Sequence, residues 1–300
     1  MNRIACCVLR VPYRKDSMSL CPDYLVIGHV TRDLYPGDDK IGGTVTFSAL
    51  TAHNLGHRAG IVTCNDPTLD LSRLPGDLTI VSHPSQVSTS FENIYHDGHR
   101  RQFVRSQARV LTCLDVPDAW KASPIVHLGP VAQEVDVALA DCFSHAVLGL
   151  TPQGWMRKWD ESGMVFPVVW DPPDALLGRA DVVILSHEDV GGDMELVRAY
   201  AARTRLLVMT TGWQGATVYC DGHVRSFPAV SVHEVDPTGA GDIFAAAFLS
   251  AFYTMRDPWL AARFANCVAA RSVERSGLDS VPTREEIAHC RSLFPALHGA

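Results

Sequence analysis

Two glycines, an alanine and an aspartate open a strongly apolar stretch in EVDPTGAGDIFAAAFLSAF. Pro237 fixes its own backbone φ and disfavours helix at the residue before it, so a helix is expected to begin just after it. The first backbone amides of a helix lack partners within the helix, and the helix dipole is positive there. Because small residues let an anion approach these amides closely, Gly239, Ala240 and Gly241 predict an anion cradle.

Asp242 directly follows this cradle and adds a carboxylate to it. In the first turn of a helix a carboxylate stays ionised and is suited to act as a general base. Together the two features predict phosphoryl transfer to a hydroxyl: Asp242 would accept the hydroxyl proton while the amides stabilise charge on the transferred group. The alternative is a tight turn in which Asp242 only caps the helix, and from these residues alone both interpretations stand.

Short apolar runs rich in β-branched residues recur from Tyr24 onward, which is typical of parallel strands covered on both faces. The runs are YLVIGHV, AGIVTC, DLTIVS, PIVHLGP, HAVLGL, VFPVVWD, DVVILS and LLVMTTG. Helical patterns between them are TVTFSALTAHNLG, QEVDVALADCF, TPQGWMRKWDES and MELVRAYAART. These repeated units predict an α/β fold with a doubly wound, mostly parallel sheet and helices on both faces.

The segment STSFENIYHDGHRRQFVRS, residues 88–106, interrupts this alternation with the hairpin turn Asp97-Gly98. A hairpin inserted early in an α/β chain predicts a small β flap, or lid, beside a site, with residues 33–40 as a second lid segment. A plain edge hairpin is the alternative. The segment GATVYCDGHVRSFPA, residues 215–229, predicts a hairpin that extends the edge of the main sheet.

Composition sets the broad class of the protein. The chain has 300 residues, 47% hydrophobic and 20% charged, and its net charge of -7 argues against non-specific binding to nucleic acid or acidic membranes. Nine cysteines without a C-x-x-C pair or zinc-binding spacing predict reduced thiols in a cytoplasmic protein.

The sequence predicts that residues 1–22 form a loosely ordered extension, with Met18 as a candidate start. Residues 23–300 are predicted to form one domain.

DPTGAGD closely resembles the C-terminal signature of the PfkB (ribokinase-like) carbohydrate kinases, D-T-x-G-A-G-D. Counted back from its end, the resemblance makes Asp242 the catalytic base, residues 239–241 the anion hole and Asp236 the first aspartate. IGGTVTFSALTAHNLG is similar to the Gly-Gly motif of the family, and TTGWQGATVY is similar to its T-x-G-x-x-G nucleotide motif. The absence of a G-x-x-x-x-G-K-[ST] loop argues against a P-loop kinase.

The resemblance, which spans residues 24–286, implies a kinase that binds ATP and Mg²⁺; activation by a monovalent cation stays open. The residues it implies for the acceptor substrate are Asp33, Gly42, Gly43 and Thr44. The residues it implies for the nucleotide are Ser186, Thr210, Gly212, Gly215 and Asn266. Ser186 stands where the family often has an asparagine, and Glu188 or Asp189 stands where it has a glutamate that organises Mg²⁺ through water.

Phe47 stands where ribokinase-like sugar kinases have an asparagine that contacts the sugar. An aromatic ring cannot replace the donors and acceptor of an amide, which argues against a ribose- or fructose-like pose. GHVTRD, LGPVAQEV and LTPQGWMR together resemble the myo-inositol kinase branch, and this implies that Arg157 lies near the substrate. The carboxylate of Asp33 suits two vicinal hydroxyls of a polyhydroxylated ring.

The primary hypothesis is therefore an ATP-dependent kinase of a sugar or cyclic polyol. One alternative is a nucleoside kinase of the same fold, with Phe47 and Tyr95 stacking on a base. Another is a catalytically silent sugar-binding protein. The expected partners are the small acceptor and ATP, with neither nucleic acid nor membrane, and a homodimer through the lid strand SFENIY is compatible with the sequence.

Overall fold

The computed structural model describes residues 20–35, 37–96 and 99–294, with only the backbone of residues 95, 96, 99 and 100. The predicted turn Asp97-Gly98 and most of the predicted extension 1–22 lie outside the described residues. The strands are β1 Tyr24–Ile27, β2 Thr31–Tyr35, β3 Asp38–Gly42, β4 Ala59–Asn65, β5 Thr79–Pro84, β6 Ser90–His96, β7 His99–Ser106, β8 Ile125–Leu128, β9 Val147–Leu150, β10 Arg157–Trp159, β11 Val165–Pro167, β12 Val182–Ser186, β13 Leu206–Thr210, β14 Ala216–Cys220 and β15 His223–Phe227.

The α-helices are α1 Thr44–Asn54, α2 Asp174–Arg179, α3 Met194–Arg203, α4 Ala240–Met255, α5 Pro258–Ser272 and α6 Arg284–Ser292. Within the described ranges, none of them combines the length and the apolar character needed to cross a bilayer.

The main sheet has the strand order β15-β14-β13-β12-β9-β8-β1-β4-β5. Strands β13 to β5 in this order run parallel, while β14 and β15 are antiparallel additions at one edge. The predicted edge hairpin is thereby confirmed. The chain leaves β1 toward β4 on one side and returns later to β8 on the other, so a crevice opens at the carboxyl ends of β1 and β8.

Helices cover both faces of this sheet, as predicted. In β1, Tyr24 and Val26 point into a core cluster shared with α1, α4, α5 and α6, whereas Leu25 and Ile27 point into a second cluster shared with α2 and α3. All four side chains are fully buried. Burial on both faces explains why these strands read as continuous apolar runs in the sequence.

A separate four-stranded sheet, the lid, has the order β3-β2-β6-β7. Strand β2 pairs antiparallel with β3 and parallel with β6, and β6 pairs antiparallel with β7. The two predicted lid segments, 33–40 and 88–106, therefore form one sheet. Asp33 lies opposite Phe91 in the register, so both project from the same face of the lid.

Three local predictions are wrong. TPQGWMRKWDES is not an α-helix: residues 152–156 form a 3₁₀ turn, and β10 pairs with β11 in a two-stranded antiparallel ribbon. VFPVVWD accordingly supplies β11 and not a strand of the main sheet. Pro152 opens the turn, and Gly154 packs against the Pro130–Val131 backbone, where a Cβ would collide. QEVDVALADCF forms a short 3₁₀ helix, residues 137–142.

The prediction of reduced thiols is also wrong for four cysteines. Disulfides join Cys113 to Cys142 and Cys267 to Cys290, with Cα–Cα distances of 6.3 and 5.9 Å. The partners are 29 and 23 residues apart in the sequence and meet through tertiary packing. Spacing alone therefore carried no signal for either pair.

Candidate active site

The predicted cradle lies at the N-terminus of α4. Gly239 caps the helix with φ of 81° and ψ of -6°, a left-handed conformation that glycine adopts without steric penalty. A Cβ on Gly239 would lie 2.6 Å from Cδ1 of Phe47, whose ring fills the space beneath the turn. Both the backbone conformation and the packing therefore require glycine at this position.

One of the three predicted cradle amides is already occupied. The backbone N–H of Ala240 donates to the carbonyl of Pro237 at 3.1 Å, which corrects the prediction of three free amides. Short bonds of this kind are a common way to satisfy the first amides of a helix. In the part of the chain that the structure describes, the amides of Gly239 and Gly241 donate to no protein acceptor, and Gly241 is exposed. Two amides remain for an anion.

The Asp242 residue is half-buried as a whole, and its carboxyl group is withdrawn from water. Burial raises the pKa of this carboxyl to about 6. A hydrogen bond from Thr44 and the positive charge of Arg157 act in the opposite direction on this pKa, and the negative charge of Asp189 adds to the increase. The group is thus ionised above about pH 6 and still basic enough to accept a proton, as a general base requires.

Helix α1 holds the first turn of α4 through three residues of one helical face. Thr44 bonds the Asp242 carboxyl, Phe47 packs under Gly239, and Ser48 Oγ donates to the Asp242 carbonyl at 3.1 Å. Phe47 is only 4% exposed, which corrects the prediction that it contacts an acceptor or a base. Sequence reasoning missed Ser48, although its spacing of four residues from Thr44 places the two on the same face.

Asp33 and the glycine pair meet where the lid joins α1. Thr31 Oγ1 donates to Asp33 Oδ1 at 3.2 Å, and Asp33 Oδ2 lies where a Cβ on Gly42 would stand. Gly43 caps α1 with φ of 89°, and a Cβ there would lie 2.5 Å from the carbonyl of His29. The structure therefore brings Asp33, Gly42 and Gly43 together, one residue before the Thr44 that bonds Asp242.

Arg157 acts electrostatically on Asp242 from the two-stranded ribbon. It is the first residue of β10, is partly buried, and its carbonyl accepts a hydrogen bond from Gln133 Nε2 at 2.5 Å. Its positive charge lowers the pKa of the Asp242 carboxyl. The structure thus places Arg157 beside the base, in the region that the resemblance assigned to the substrate.

Asp189 and Ser186 form a tight loop after β12. The amide of Ser186 donates to Asp189 Oδ2 at 2.8 Å, the amide of Asp189 donates to Ser186 Oγ at 3.0 Å, and Gln153 Nε2 donates to Asp189 Oδ1 at 3.2 Å. Thr210 pairs with Ser186 in the register of β12 and β13. Glu188 is exposed, whereas the charge of Asp189 acts on Asp242. Of the two predicted metal-binding carboxylates, Asp189 is therefore the one that faces the site.

A magnesium site built on water fits this donor set. Over the described residues, no group of three or more His, Cys, Asp and Glu side chains is placed to hold a metal ion. Mg²⁺ typically keeps several waters and uses one or two carboxylates together with substrate phosphates. The hard carboxylate oxygens of Asp189 suit that arrangement.

The predicted nucleotide turn follows β13 and depends on its glycines. Gly212 and Gly215 have φ of 55° and 104°, and the carbonyl of Gly215 accepts bonds from the amide and hydroxyl of Thr211 at 2.8 and 3.0 Å. Between the glycines, Trp213 is 81% exposed. The turn therefore presents an indole ring to solvent, a feature that the motif alone did not indicate.

Asn266 has a different role from the predicted one. The side chain is 6% exposed, and its Nδ2 donates to the carbonyls of Phe227 and Pro228 at 3.0 and 3.2 Å. Both N–H bonds of the amide are thus used to tie α5 to the end of β15. The structure corrects the predicted contact with a nucleotide base: Asn266 holds the neighbouring backbone in place.

A buried carboxylate that sequence reasoning missed closes the crevice between β1 and β8. Glu134 is fully buried and accepts hydrogen bonds from the amides of His29, Val131 and Ala132 at 3.2, 3.0 and 2.6 Å. Glu134 therefore fixes the two strand ends that flank Thr44 and the glycine pair.

Comparison with known proteins relates part of the chain to one family. Residues 174–284, which include the cradle and Asp242, match the family model described as pfkB family carbohydrate kinase. This part of the chain is therefore similar to the pfkB family carbohydrate kinases. Among curated relatives, the cytidine kinase of Thermococcus kodakarensis is 27% identical over 257 residues, 77% of this chain and 88% of the relative. Fructokinase-1 of Oryza sativa subsp. japonica is 28% identical over 128 residues, 40% of each chain.

Solved structures confirm the ribokinase-like fold of this chain. A pyrophosphate-dependent kinase of the ribokinase family, complexed with a pyrophosphate analog and myo-inositol, superposes with a TM-score of 0.75 at 24% identity, over 88% of this chain and 99% of that one. A ribokinase from Thermotoga maritima superposes with a TM-score of 0.71 at 18% identity, over 90% and 99%. The predicted fold class is therefore confirmed.

Proposed function

We propose that the chain is an ATP- and Mg²⁺-dependent kinase that phosphorylates a hydroxyl of a sugar or cyclic polyol. One observation carries this proposal: a carboxyl with its pKa raised to about 6 lies within three residues of two unpartnered amides at the same helix N-terminus. Asp242 accepts the proton of the acceptor hydroxyl. The hydroxyl oxygen attacks the γ-phosphorus of ATP, and ADP leaves. The amides of Gly239 and Gly241 stabilise the charge on the transferred group.

The acceptor is proposed to lie between the lid and the first turn of α4. Asp33 projects from the lid beside Gly42, and its carboxylate can accept bonds from two vicinal hydroxyls. Arg157 supplies a positive charge that acts on Asp242. The likeness to a kinase complexed with myo-inositol supports a polyhydroxylated ring as the acceptor. A lid above it would exclude water that otherwise hydrolyses ATP.

The donor is proposed to be a nucleotide, although one structural relative depends on pyrophosphate. The segments on the donor side, residues 186–193, 210–216 and 228–242, contain no Lys or Arg but several carboxylates. Pyrophosphate has no base to contribute affinity, so its binding depends on cationic side chains. A nucleotide can gain affinity from its base, for which the exposed indole of Trp213 offers an aromatic face. Mg²⁺, held through water by Asp189, would neutralise part of the phosphate charge.

A nucleoside kinase is the second candidate, because the cytidine kinase relative aligns with 77% of this chain. The two aromatic residues first considered for base stacking do not strengthen it. Phe47 is buried beneath Gly239, and the side chain of Tyr95 lies outside the described residues. Cytoplasmic location and a homodimer through the lid strands stay predictions from the sequence.

A panel of inositols, pentoses, hexoses and nucleosides, each assayed with ATP and with pyrophosphate, tests the proposal. Thermal shift identifies ligands, because a ligand stabilises only the state that it binds. ADP formation then separates turnover from binding. We expect turnover with ATP and an inositol or sugar. Turnover confined to nucleosides would select the second candidate, and turnover only with pyrophosphate would overturn the donor. A thermal shift without ADP or phosphate release would indicate a silent sugar-binding protein.

A further inference from the structure

The two-stranded ribbon, residues 157–167, is joined to the edge of the lid by its turn. The amide of Val104 in β7 donates to the carbonyl of Gly163 at 2.8 Å, and the Arg105 guanidinium donates to the carbonyl of Ser162 at 3.0 Å. Phe103 and Met164 form an antiparallel bridge at the same junction. The ribbon therefore continues the lid sheet beyond β7.

This junction depends on a glycine. Gly163 has φ of 86°, and a Cβ there would collide with the carbonyl of Val104. Asp160 Oδ1 holds the turn in shape by accepting bonds from the amides of Ser162 and Met164 at 2.9 and 3.0 Å. Any side chain at position 163 would therefore push an otherwise preformed turn away from the lid.

Side-chain packing joins the two elements further along the ribbon. Trp159 and Val165 pack against a buried cluster that contains Phe91 and Val104 of the lid. The cluster is completed by Val131 and Ala132 from the segment after β8. Because interdigitated apolar groups resist separate movement, the lid and the ribbon are expected to shift together.

The other end of the ribbon lies at the reaction centre. Arg157 begins β10, and its carbonyl is held by Gln133, which has the left-handed φ of 59° that is uncommon for a residue with a side chain. Among the groups that act on the Asp242 carboxyl, Thr44 belongs to a helix packed on the main sheet and Asp189 follows a strand of that sheet. Thr44 also follows the lid strand β3 in the chain, whereas Arg157 is carried by the ribbon, which is bonded to the opposite edge of the lid at β7.

We propose that the ribbon couples the lid to the reaction centre: Gly163, Arg105 and Gln133 are positioning residues that bring the Arg157 guanidinium to the transferred phosphoryl group when the lid closes. This rests on the proposed kinase function. A cation beside the transferred group stabilises charge that develops only in the transition state. Delivery by the lid would make that stabilisation depend on a bound acceptor and so suppress futile ATP hydrolysis.

Kinetics of Gly163→Ala and Arg157→Ala, singly and together, test the coupling. Each single variant is expected to lower kcat on the order of tenfold to a hundredfold, with little change in KM for ATP, because a small displacement of a catalytic group has effects of this size. The double variant should lose no more than Arg157→Ala alone. Multiplicative losses in the double variant, or a wild-type kcat in Gly163→Ala, would overturn the proposal.

Gly222→Ala is the matched control. Gly222 has a φ of 76° in the turn between β14 and β15, and its Cβ position meets no atom within 4 Å. The control therefore introduces the same kind of backbone strain without a steric contact. Its kcat should equal that of the wild type. If Gly163→Ala fails to fold, Arg105→Ala replaces it, because this variant removes one hydrogen bond to the ribbon and adds no atoms. Arg105→Ala should also lower kcat, by a smaller factor than Gly163→Ala. An unchanged kcat in Arg105→Ala would contradict the proposal.

The pKa of the Asp242 carboxyl, measured by ¹³C NMR titration, tests the coupling between the lid and the reaction centre without any substrate. Loss of the Arg157 charge should raise the pKa of this carboxyl, since that charge lowers it in the wild type. Gly163→Ala should raise the pKa in the same direction, and the double variant should raise it no further than Arg157→Ala does. A raised pKa in Arg157→Ala with a wild-type pKa in Gly163→Ala would overturn the coupling. Because no turnover is needed, this result stands apart from failure of the kinase proposal.

Discussion

Replacing Gly241 by alanine separates the chemical role of the cradle from its role in folding. Gly241 is exposed in the first turn of α4, and a Cβ there would meet no atom within 4 Å. Alanine favours helix over glycine by up to about 1 kcal/mol, so the free energy of unfolding should rise by about 0.5 kcal/mol or stay unchanged. The new methyl group, however, stands where an anion must approach the amide. We expect kcat/KM to fall by roughly a hundredfold, comparable to the loss of one oxyanion donor.

Gly239→Ala is the contrasting variant two residues earlier. Its left-handed φ of 81° penalises alanine by about 1 kcal/mol. The new Cβ would stand 2.6 Å from the buried Phe47 ring, and overpacking of this kind costs about 1–3 kcal/mol more. The free energy of unfolding should therefore fall by about 2–4 kcal/mol. Phe47→Leu in the same chain should restore part of that loss, because the smaller side chain relieves the collision.

Urea denaturation and steady-state ADP formation, measured on the same preparations, check both variants. Gly241→Ala should show intact stability with impaired turnover, and Gly239→Ala should lose both. Wild-type kcat/KM in Gly241→Ala would refute the cradle, since nothing in the packing of the described residues then explains why an exposed position holds glycine. A large loss of stability in Gly241→Ala would refute the geometry from which the magnitudes are taken.

Three further outcomes follow from the same contacts. Because Asp242 must be ionised to accept a proton and its pKa is about 6, kcat/KM should fall as the pH drops below about 6; a profile that stays flat to about pH 5 would place the base elsewhere. Burial lowers the pKa of His127 to about 3, so below its ordinary value of 6.5 the unfolded chain binds a proton that the folded chain does not. The wild type should therefore lose about 2 kcal/mol of stability from this group between about pH 7 and pH 5, and His127→Gln should lose correspondingly less in urea denaturation; equal losses would contradict the burial argument. Asn266→Ala removes two hydrogen bonds to the carbonyls of Phe227 and Pro228 and should lower the free energy of unfolding by about 1–3 kcal/mol and raise KM for ATP; unchanged stability would show that this tether is dispensable.

The main sheet could be predicted because its strands are buried on both faces and therefore appear as continuous apolar runs. VFPVVWD has the same composition, yet its first residues form β11 of the ribbon. The two cases differ in tertiary surroundings: the ribbon packs against the lid cluster and the 3₁₀ turn before it is set by Pro152 and Gly154. An apolar composition indicates that at least one face of a segment is buried, but it does not indicate which sheet the segment joins.

Within the site, motifs found the residues whose type is unusual for their position, such as Asp242 and the glycines. They did not give the direction of a side chain, and for this reason Phe47 and Asn266 were assigned to ligands when they pack against or bond the protein. Glu134 and Ser48 were missed because their partners are backbone groups, which leave no pairing pattern in a sequence. Such positions become visible only when the chain is folded.

The most direct test of the central claim is the turnover number of Asp242→Asn at saturating ATP and acceptor, measured at about pH 8. Asparagine has nearly the same shape and can still accept the bond from Thr44, but it cannot take up the hydroxyl proton. We expect kcat to fall on the order of a thousandfold or more, while the free energy of unfolding stays unchanged or rises because a poorly solvated charge is removed. Turnover close to that of the wild type would show that another group serves as the base and that the raised pKa of Asp242 has no part in the reaction.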